Sequence, residues 1–363
     1  MNPYLKSIKV IKVRSLADFS IRLEDTTRPA DAPVHLMLTG RNGVGKTSLL
    51  MEIFDALSCL GHSDALELDW ESDVMRTREN RPIIALYTAH RKPDFQQPKA
   101  PSQMRFESVG GVSRDSHSRE FINFLLNLKV QRSLSRDEGN EELVSKIDAW
   151  FVRFTEVLSR VFNDPELRLE FAPRNYHFSI VSKGHVSPLT NLADGYAALL
   201  DIVADLILKM QREDSIVAAF DYPGIVLIDE VETHLHLELQ RLVMPVLTSV
   251  FPKIQFIITT HSPFVLSSIG NAVVYDLERR EALDNADDYP YDSLAEGFFG
   301  VPGQSGYISS RYEKFKTLAE LPTRTPEQER ELLALLREFQ QVPQLVNPAL
   351  KAAVQQLSIT HGL

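Results

Sequence analysis

The chain has 363 residues, 44% of them apolar and 24% charged, with a net charge of −10. That length supports a substantial core and one to three domains, and the composition is that of an ordinary soluble globular protein. No stretch approaches the roughly 18 uninterrupted apolar residues of a membrane span, and Met1-Asn2-Pro3-Tyr4 lacks the basic and apolar regions of a signal peptide. Cys59 is the single cysteine, which excludes an internal disulfide and a Cys-based zinc site. Together these point to the cytoplasm. The acidic balance argues against a protein coated in nucleic acid but leaves room for a local basic surface.

Tyr4 to Leu23 alternates, with Ile8, Val10, Ile11 and Val13 followed by Phe19, Ile21 and Leu23, and predicts two paired strands. The apolar run Val34 to Leu38 predicts a buried strand. It leads into Gly40 to Thr47, G-R-N-G-V-G-K-T, which matches the phosphate-binding pattern G-x-x-x-x-G-K-[ST] at every fixed position. Thr47 to Leu60 follows with helical spacing, with Leu49, Leu50, Ile53, Phe54 and Leu57 on one face. Strand, glycine-rich loop and helix are the context such a loop requires. The glycines let successive N–H groups curl towards phosphate oxygens, and the helix start adds partial positive charge there. Lys46 would supply full charge for the β- and γ-phosphates, and Thr47 a hydroxyl for Mg²⁺.

Between Arg76 and Arg105 the basic residues are Arg76, Arg78, Arg81, Arg91, Lys92, Lys99 and Arg105; with Glu79 and Asp94 the segment is +5. It reads as a solvated insertion in preference to a phosphate-backbone contact. Ile83 to Tyr87 predicts a strand, and 92–117, with Pro93, Pro98 and Pro101, a loop. Glu120 to Val130 and Glu141 to Phe162 predict helices, the second with Leu143, Ile147, Trp150, Phe151, Phe154, Val157 and Leu158 at i, i+3, i+4 spacings. Leu167 to Phe171 and His177 to Val181 predict a hairpin, and Asn191 to Met210 a helix. Gly224 to Ile228 and Ile254 to Thr259 have the length and β-branched content of strands, with a helix from Leu237 to Val250 between them, so both belong to one parallel sheet. Ala272 to Asp276 predicts one more strand. Thr325-Pro326-Glu327-Gln328 has the form of a capping box with proline at the first helical position, and Asn347-Pro348 repeats the device, so the tail is expected to be helical.

Ile225-Val226-Leu227-Ile228 ends in Asp229-Glu230, a Walker B pattern. The two carboxylates must lie at the strand's exposed carboxyl end, the edge where ligands bind in open α/β sheets. Asp229 would hold Mg²⁺, and Glu230 would position and deprotonate the attacking water. His261, just past the next strand in Thr259-Thr260-His261-Ser262, reads as a γ-phosphate sensor. Leu189-Thr190-Asn191-Leu192-Ala193-Asp194-Gly195-Tyr196 precedes a long apolar helix, and Gly195 lets backbone approach an anion at the helix start.

The order of these motifs resembles the ATP-binding-cassette-type ATPases, more narrowly their soluble SMC/RecF-like branch. It is most similar to the small prokaryotic ATPases related to the overcoming-lysogenization-defect (OLD) family, many of which sit in anti-phage defence modules beside a separate effector, often a nuclease. Tyr87-Thr88-Ala89-His90-Arg91 and Asp276-Leu277-Glu278 followed by Gly297-Phe298-Phe299-Gly300 carry the same likeness. The resemblance implies an α/β fold: an ABC-type P-loop domain with a mixed, mainly parallel sheet, flanking helices and N-terminal antiparallel strands. It implies four segments: 1–91, an N-terminal lobe with the P-loop; 92–165, a loop and helical insertion; 166–295, the lobe with signature, Walker B and switch histidine; and 296–363, a helical tail.

By resemblance, Asn42, Gly43, Val44, Gly45, Lys46, Thr47 and Ser48 would hold the phosphates of ATP. Leu192 to Tyr196, with Ala193, Asp194 and Gly195, would be the signature that reaches the γ-phosphate of a second subunit. Thr47 and Asp229 would hold Mg²⁺; Glu230, His261 and Lys46 would act in hydrolysis. Thr233-His234-Leu235-His236 would be the D-loop, with His236 where the pattern has aspartate, and Arg14 stands where related ATPases contact nucleotide. The Q-loop residue stays open among Gln96, Gln97, His90 and Arg91. Ala193 replaces the usual signature serine and so removes one hydrogen bond, about 0.5–1.5 kcal/mol net; Ala197 replaces a basic residue.

The helix from Glu141 spans only about 33 Å, too short for the long coiled coil of SMC proteins, and there is no Toprim acidic triad. The expected function is therefore an ATP-gated dimeric switch in defence or DNA maintenance that controls a separate effector. An ATP-binding scaffold with little turnover is the alternative. A transporter subunit fits less well, because the signature lacks the L-S-G-G-Q form, and a helicase would need a second motor domain.

Overall fold

The computed structural model describes residues 4–23, 33–59, 63–70, 82–102, 112–114, 116–211, 220–284, 286–299, 306–321, 323–341 and 353–358. They fall into one unit within residues 1–299 and a second within 300–363.

The N-terminal strands form as predicted. β1 (Leu5–Val13) pairs antiparallel with β2 (Leu16–Arg22) through a turn at Arg14 and Ser15. β3 (His35–Thr39) runs through the glycine-rich loop into α1 (Lys46–Ser58), whose buried face holds Leu49, Leu50, Ile53, Phe54 and Leu57. β4 (Leu66–Trp70) then pairs with β1, giving a three-stranded antiparallel sheet in the order β2-β1-β4. This third strand was not expected. Its alternation of Leu66, Leu68 and Trp70 with Glu67 and Asp69 is the period-2 signal of a half-buried strand.

β5 (Ile83–Tyr87) and β6 (Val112–Ser113) follow, so the region expected to be a loop ends in a two-residue edge strand. α2 (Phe121–Asp137) and α3 (Glu141–Val161) form the helical insertion, an antiparallel pair turned at Gly139, where φ is +74°. Asn140 caps α3 by accepting the Leu143 N–H at 3.1 Å, Glu141 and Glu142 favour the positive end, and Arg160 the negative one. Across the pair, Arg132 forks onto Asp148 at 2.5 and 2.8 Å. The predicted hairpin is the first two strands of a three-stranded sheet: β7 (Arg168–Ala172), β8 (His177–Ser182) and β9 (His185–Pro188). α4 (Asp194–Lys209) comes next.

β10 (Gly224–Ile228), α5 (Leu237–Val250) and β11 (Ile254–Thr259) fall at the predicted bounds. α6 (Pro263–Leu266), β12 (Ala272–Asp276), β13 (Glu281–Asp284) and α7 (Tyr291–Phe299) complete the first unit. The central sheet has seven strands in the order β13-β12-β3-β11-β10-β5-β6, all parallel except the β12/β13 pair. Fully buried strands read as continuous apolar runs because each face meets a core. Leu36, Leu38, Ile225, Leu227 and Ile257 face α1 and the N-terminal sheet, whereas Met37, Val226, Ile228, Phe256 and Ile258 face the side of α2 to α5. This is the mixed, mainly parallel sheet with flanking helices and N-terminal antiparallel strands that the motif order implied.

In the second unit, α8 (Gly306–Glu320) and α9 (Pro326–Gln341) share a small core of Phe315, Leu318, Leu332, Leu335 and Phe339. The predicted capping box is made in both directions: Gln328 N–H to Thr325 Oγ1 at 3.3 Å and Thr325 N–H to Gln328 Oε1 at 2.9 Å. Asn347 and Pro348 lie outside the described residues, as do Arg76, Arg78, Glu79, Arg81, Arg105 and Gly300. No helix among the described residues is long and apolar enough to cross a membrane.

Candidate functional site

The three strands that carry the sequence motifs are neighbours, in the order β3-β11-β10. Their carboxyl ends therefore bring the glycine-rich loop, Asp229-Glu230 and His261 to one edge.

Gly40, Gly43 and Gly45 all have positive φ, at +127°, +83° and +115°. At Gly45 a second constraint applies, since an added Cβ would sit 3.0 Å from Leu16 Cδ1. Leu16, the first residue of β2, thus packs on the loop, two residues after exposed Arg14 (φ +52°) in the β1–β2 turn. Asn42, Gly43 and Thr47 are exposed, Val44, Gly45 and Ser48 half-buried. Lys46 is 6% exposed and donates to the carbonyls of Gly40 at 2.8 Å and Arg41 at 3.1 Å, inside the loop's own curl. Burial pulls its ammonium below the ordinary lysine range, against the raising fields of Glu230, Glu232, Asp229 and Asp276.

Asp229, 5% exposed, accepts from Thr47 Oγ1 at 3.0 and 3.1 Å and from Thr259 Oγ1 at 2.6 Å. The Thr259 hydroxyl in turn accepts the Glu230 N–H at 2.7 Å. One threonine at the end of β11 thus ties both acids of β10. Glu230 has φ +44°, a left-handed conformation costing roughly 1–2 kcal/mol for an L-residue. That backbone turns the chain sharply out of the strand, and Glu230 Oε2 accepts from Thr233 Oγ1 at 3.4 Å.

The His261 N–H donates to Glu232 Oε1 at 2.6 Å, while its ring Nε2 and the other Glu232 oxygen are buried with no partner. Burial first, and then the charge of Lys46, hold the imidazole pKa below the ordinary value. Ser262 fixes the following turn, accepting from Val265 N–H at 3.3 Å and donating to Gln240 Oε1 at 2.7 Å. Glu232 and Gln240 escaped the sequence reading; a third acid in Asp-Glu-Val-Glu was the available signal for the first.

Of the four Q-loop candidates, His90 is exposed. Gln96 is exposed and bonds Asp94, and Gln97 bonds the Tyr176 carbonyl at 2.7 Å. Arg91 instead turns inward, 8% exposed, and donates to the carbonyls of Asp229 and Val231 at 3.3 and 3.1 Å. It is therefore no part of a basic outer surface, although the charge count of the segment stands.

Ala193 is the N-cap of α4 (φ −61°, ψ 144°), with no side-chain cap bond, and it and Asp194 are exposed. Gly195 is buried, and an added Cβ would meet Leu239 Cδ1 at 3.0 Å and the His234 carbonyl at 3.1 Å. The glycine thus lets α4 start against the 234–235 loop, a packing reason that sequence alone did not give. His234 and His236 are both exposed, and no group of three metal-ligating side chains occurs among the described residues. A crevice of about 310 Å³ lies between Arg91, Lys92, Asn191, Leu192, Asp194 and His234. A larger groove of about 610 Å³ along α3 touches none of these residues.

Residues 125–267 match the family described as "AAA domain, putative AbiEii toxin, Type IV TA system". That match covers less than half of the chain and begins after the phosphate loop. Among curated relatives, the Septu protein PtuA of Bacillus mycoides (strain KBAB4) is 25% identical, across 91% of this chain and 49% of its own length. The Retron Vc95 probable ATPase of Vibrio cholerae serotype O1 biovar El Tor is 31% identical, across 56% of this chain and 40% of its own. The chain thus spans half or less of the length of these relatives. Among solved structures, that of the SmcHead bound to the C-winged helix domain of ScpA is 11% identical, covers 79% of this chain and 100% of its own, and has a TM-score of 0.43.

Proposed function

We propose that the chain is an ATP-hydrolysing, nucleotide-gated switch of an anti-phage defence system that acts on a separate effector, with a nuclease as the expected kind. The observation that carries the hydrolytic part is the hydrogen-bonded chain Thr47–Asp229–Thr259–Glu230. It links the end of the phosphate loop to a carboxylate projecting past the strand.

The residues fit Mg-ATP. The loop glycines open a cradle of N–H groups, and Lys46, now folded onto loop carbonyls, carries the charge that a phosphate would take over. Thr47 and Asp229 form an oxygen pair suited to Mg²⁺, which supplies neutralisation of phosphate charge when bound. Glu230 is the base that takes the proton of the attacking water. His261, held neutral with an unpartnered ring nitrogen, is poised to bond a phosphate oxygen. Ala193 and Asp194 stand exposed at the start of α4, where a second copy's nucleotide would dock, with Gly195 buried behind them against the 234–235 loop. This composite arrangement needs at least two subunits. The likeness to Septu and retron proteins supports the defence role.

A scaffold that binds ATP with little turnover is favoured by one feature, the missing hydroxyl at Ala193. Steady-state turnover of wild type against Glu230→Gln and Lys46→Ala separates the two. The switch reading expects a loss of about 100-fold or more for Glu230→Gln, with nucleotide binding retained, and loss of binding for Lys46→Ala. Equal turnover in wild type and Glu230→Gln would contradict it.

A further inference from the structure

Arg91 is a buried cation with an unusual set of partners. Its guanidinium donates only to backbone carbonyls, those of Thr88 (3.3 Å), Asp229 (3.3 Å) and Val231 (3.1 Å), and its Nε has no partner. Burial pulls its pKa below the ordinary arginine value, with Asp201, Glu232 and Asp229 pulling it back up. Burying such a charge is costly, and an apolar side chain would fill the same space more cheaply. What the guanidinium adds is a rigid fork with fixed spacing.

Two of the three carbonyls it grips belong to the residues on either side of Glu230. Glu230 has the left-handed φ of +44°, a conformation that persists only where the surroundings impose it. From the other side, the Glu230 N–H is held by Thr259 Oγ1 and the Val231 N–H by the Thr259 carbonyl at 3.1 Å. Thr259 and Arg91 therefore clamp one strained turn from two directions. Arg91 also stands in the wall of the crevice that reaches Asp194 at the start of α4.

We propose that Arg91 is a positioning residue for hydrolysis: its fork holds the 229–231 backbone so that the Glu230 carboxylate points at the place of the attacking water. It touches no reacting atom and acts through Glu230. The inference rests on the reading of Glu230 as the base.

The test uses the full chain as wild type, Arg91→Lys, Arg91→Met and Glu230→Gln, and each Arg91 variant combined with Glu230→Gln. Single-turnover ATP hydrolysis, the Kd of a fluorescent ATP analogue and the melting temperature are measured for each. Lysine keeps the charge and the stem but has no planar fork to fix the spacing of the two carbonyls. Arg91→Lys is therefore expected to lose about 100-fold in hydrolysis, the scale of a base displaced by an ångström, with Kd within about 3-fold of wild type. In the Glu230→Gln background the same change is expected to cost less than about 2-fold, since there is no base left to misplace. Wild-type hydrolysis by Arg91→Lys would overturn the proposal. So would a parallel loss of nucleotide affinity, or an equal further loss in the Glu230→Gln background. Should Arg91→Met fail to fold, Arg91→Lys decides alone. Equal hydrolysis by wild type and Glu230→Gln would remove the reading of Glu230 itself; a large gap between them with an active Arg91→Lys removes only the role of Arg91.

Discussion

His261 and Asp229 show how single side chains here are set by their surroundings. Burial and Lys46 hold the His261 imidazole neutral in the free protein. Because kcat/KM reports groups of the free enzyme, its acid limb is expected below about pH 6.5, the free-histidine value. As pH falls through that lowered pKa, protonation removes the neutral ring and activity drops. His261→Gln, which cannot titrate, should shift the limb down towards the carboxylate range. A wild-type limb above pH 6.5, or one unmoved by the substitution, would contradict this assignment. For Asp229, Asp229→Asn keeps a partner for Thr47 and Thr259 but loses the charge. The gain in analogue affinity on adding Mg²⁺, read against EDTA, is then expected to shrink by about tenfold or more. The motif residues at this scale were legible because their types and spacing are dictated by phosphate chemistry. Glu232 was not, and Arg91 was legible only as one of four Q-loop candidates, because their roles depend on which strand ends become neighbours.

At the scale of elements, α4 is tied to β5 through a buried polar network that nothing in the local sequence announced. Asp205, 0% exposed, accepts from Tyr87 Oη at 2.5 Å, from the His117 N–H at 2.7 Å and from Lys209. Burial disfavours its charge, but these partners outweigh burial and hold its pKa low. Asp201, one turn earlier, accepts from Ser118 and Ser116, and burial pushes its pKa up. Asp205→Ala is expected to destabilise by about 3–5 kcal/mol, because it removes the shared acceptor of the Tyr87 hydroxyl, the His117 N–H and Lys209. Asp201→Asn keeps an oxygen to accept from Ser116 and Ser118 and is expected to cost under about 1 kcal/mol. Urea midpoints read both; a reversed order would contradict this assignment. Pattern sufficed for β10, α5, β11 and β12, whose apolar runs and helical spacing leave one reading. It failed where pairing decides: β4 and β9 are short and half-exposed, and become strands because β1 and β8 offer them an edge.

For the molecule as a whole, the parallel sheet collects the phosphate loop, Asp229, Glu230 and His261 at one edge, while the start of α4 exposes Ala193 and Asp194. In the proposed switch, the α4 start of one copy completes the site of the other. ATP would then join two subunits, and hydrolysis by Glu230 would part them. The missing hydroxyl at Ala193 removes one bond from that junction, worth about 0.5–1.5 kcal/mol, which weakens the closed state without abolishing it. The most direct test is the mass of Glu230→Gln in solution by light scattering, with and without Mg-ATP. The account predicts a doubling or a larger step with Mg-ATP, reversed by chelation of Mg²⁺. An unchanged mass at saturating nucleotide would contradict it, because the start of α4 would then not serve a second subunit's site.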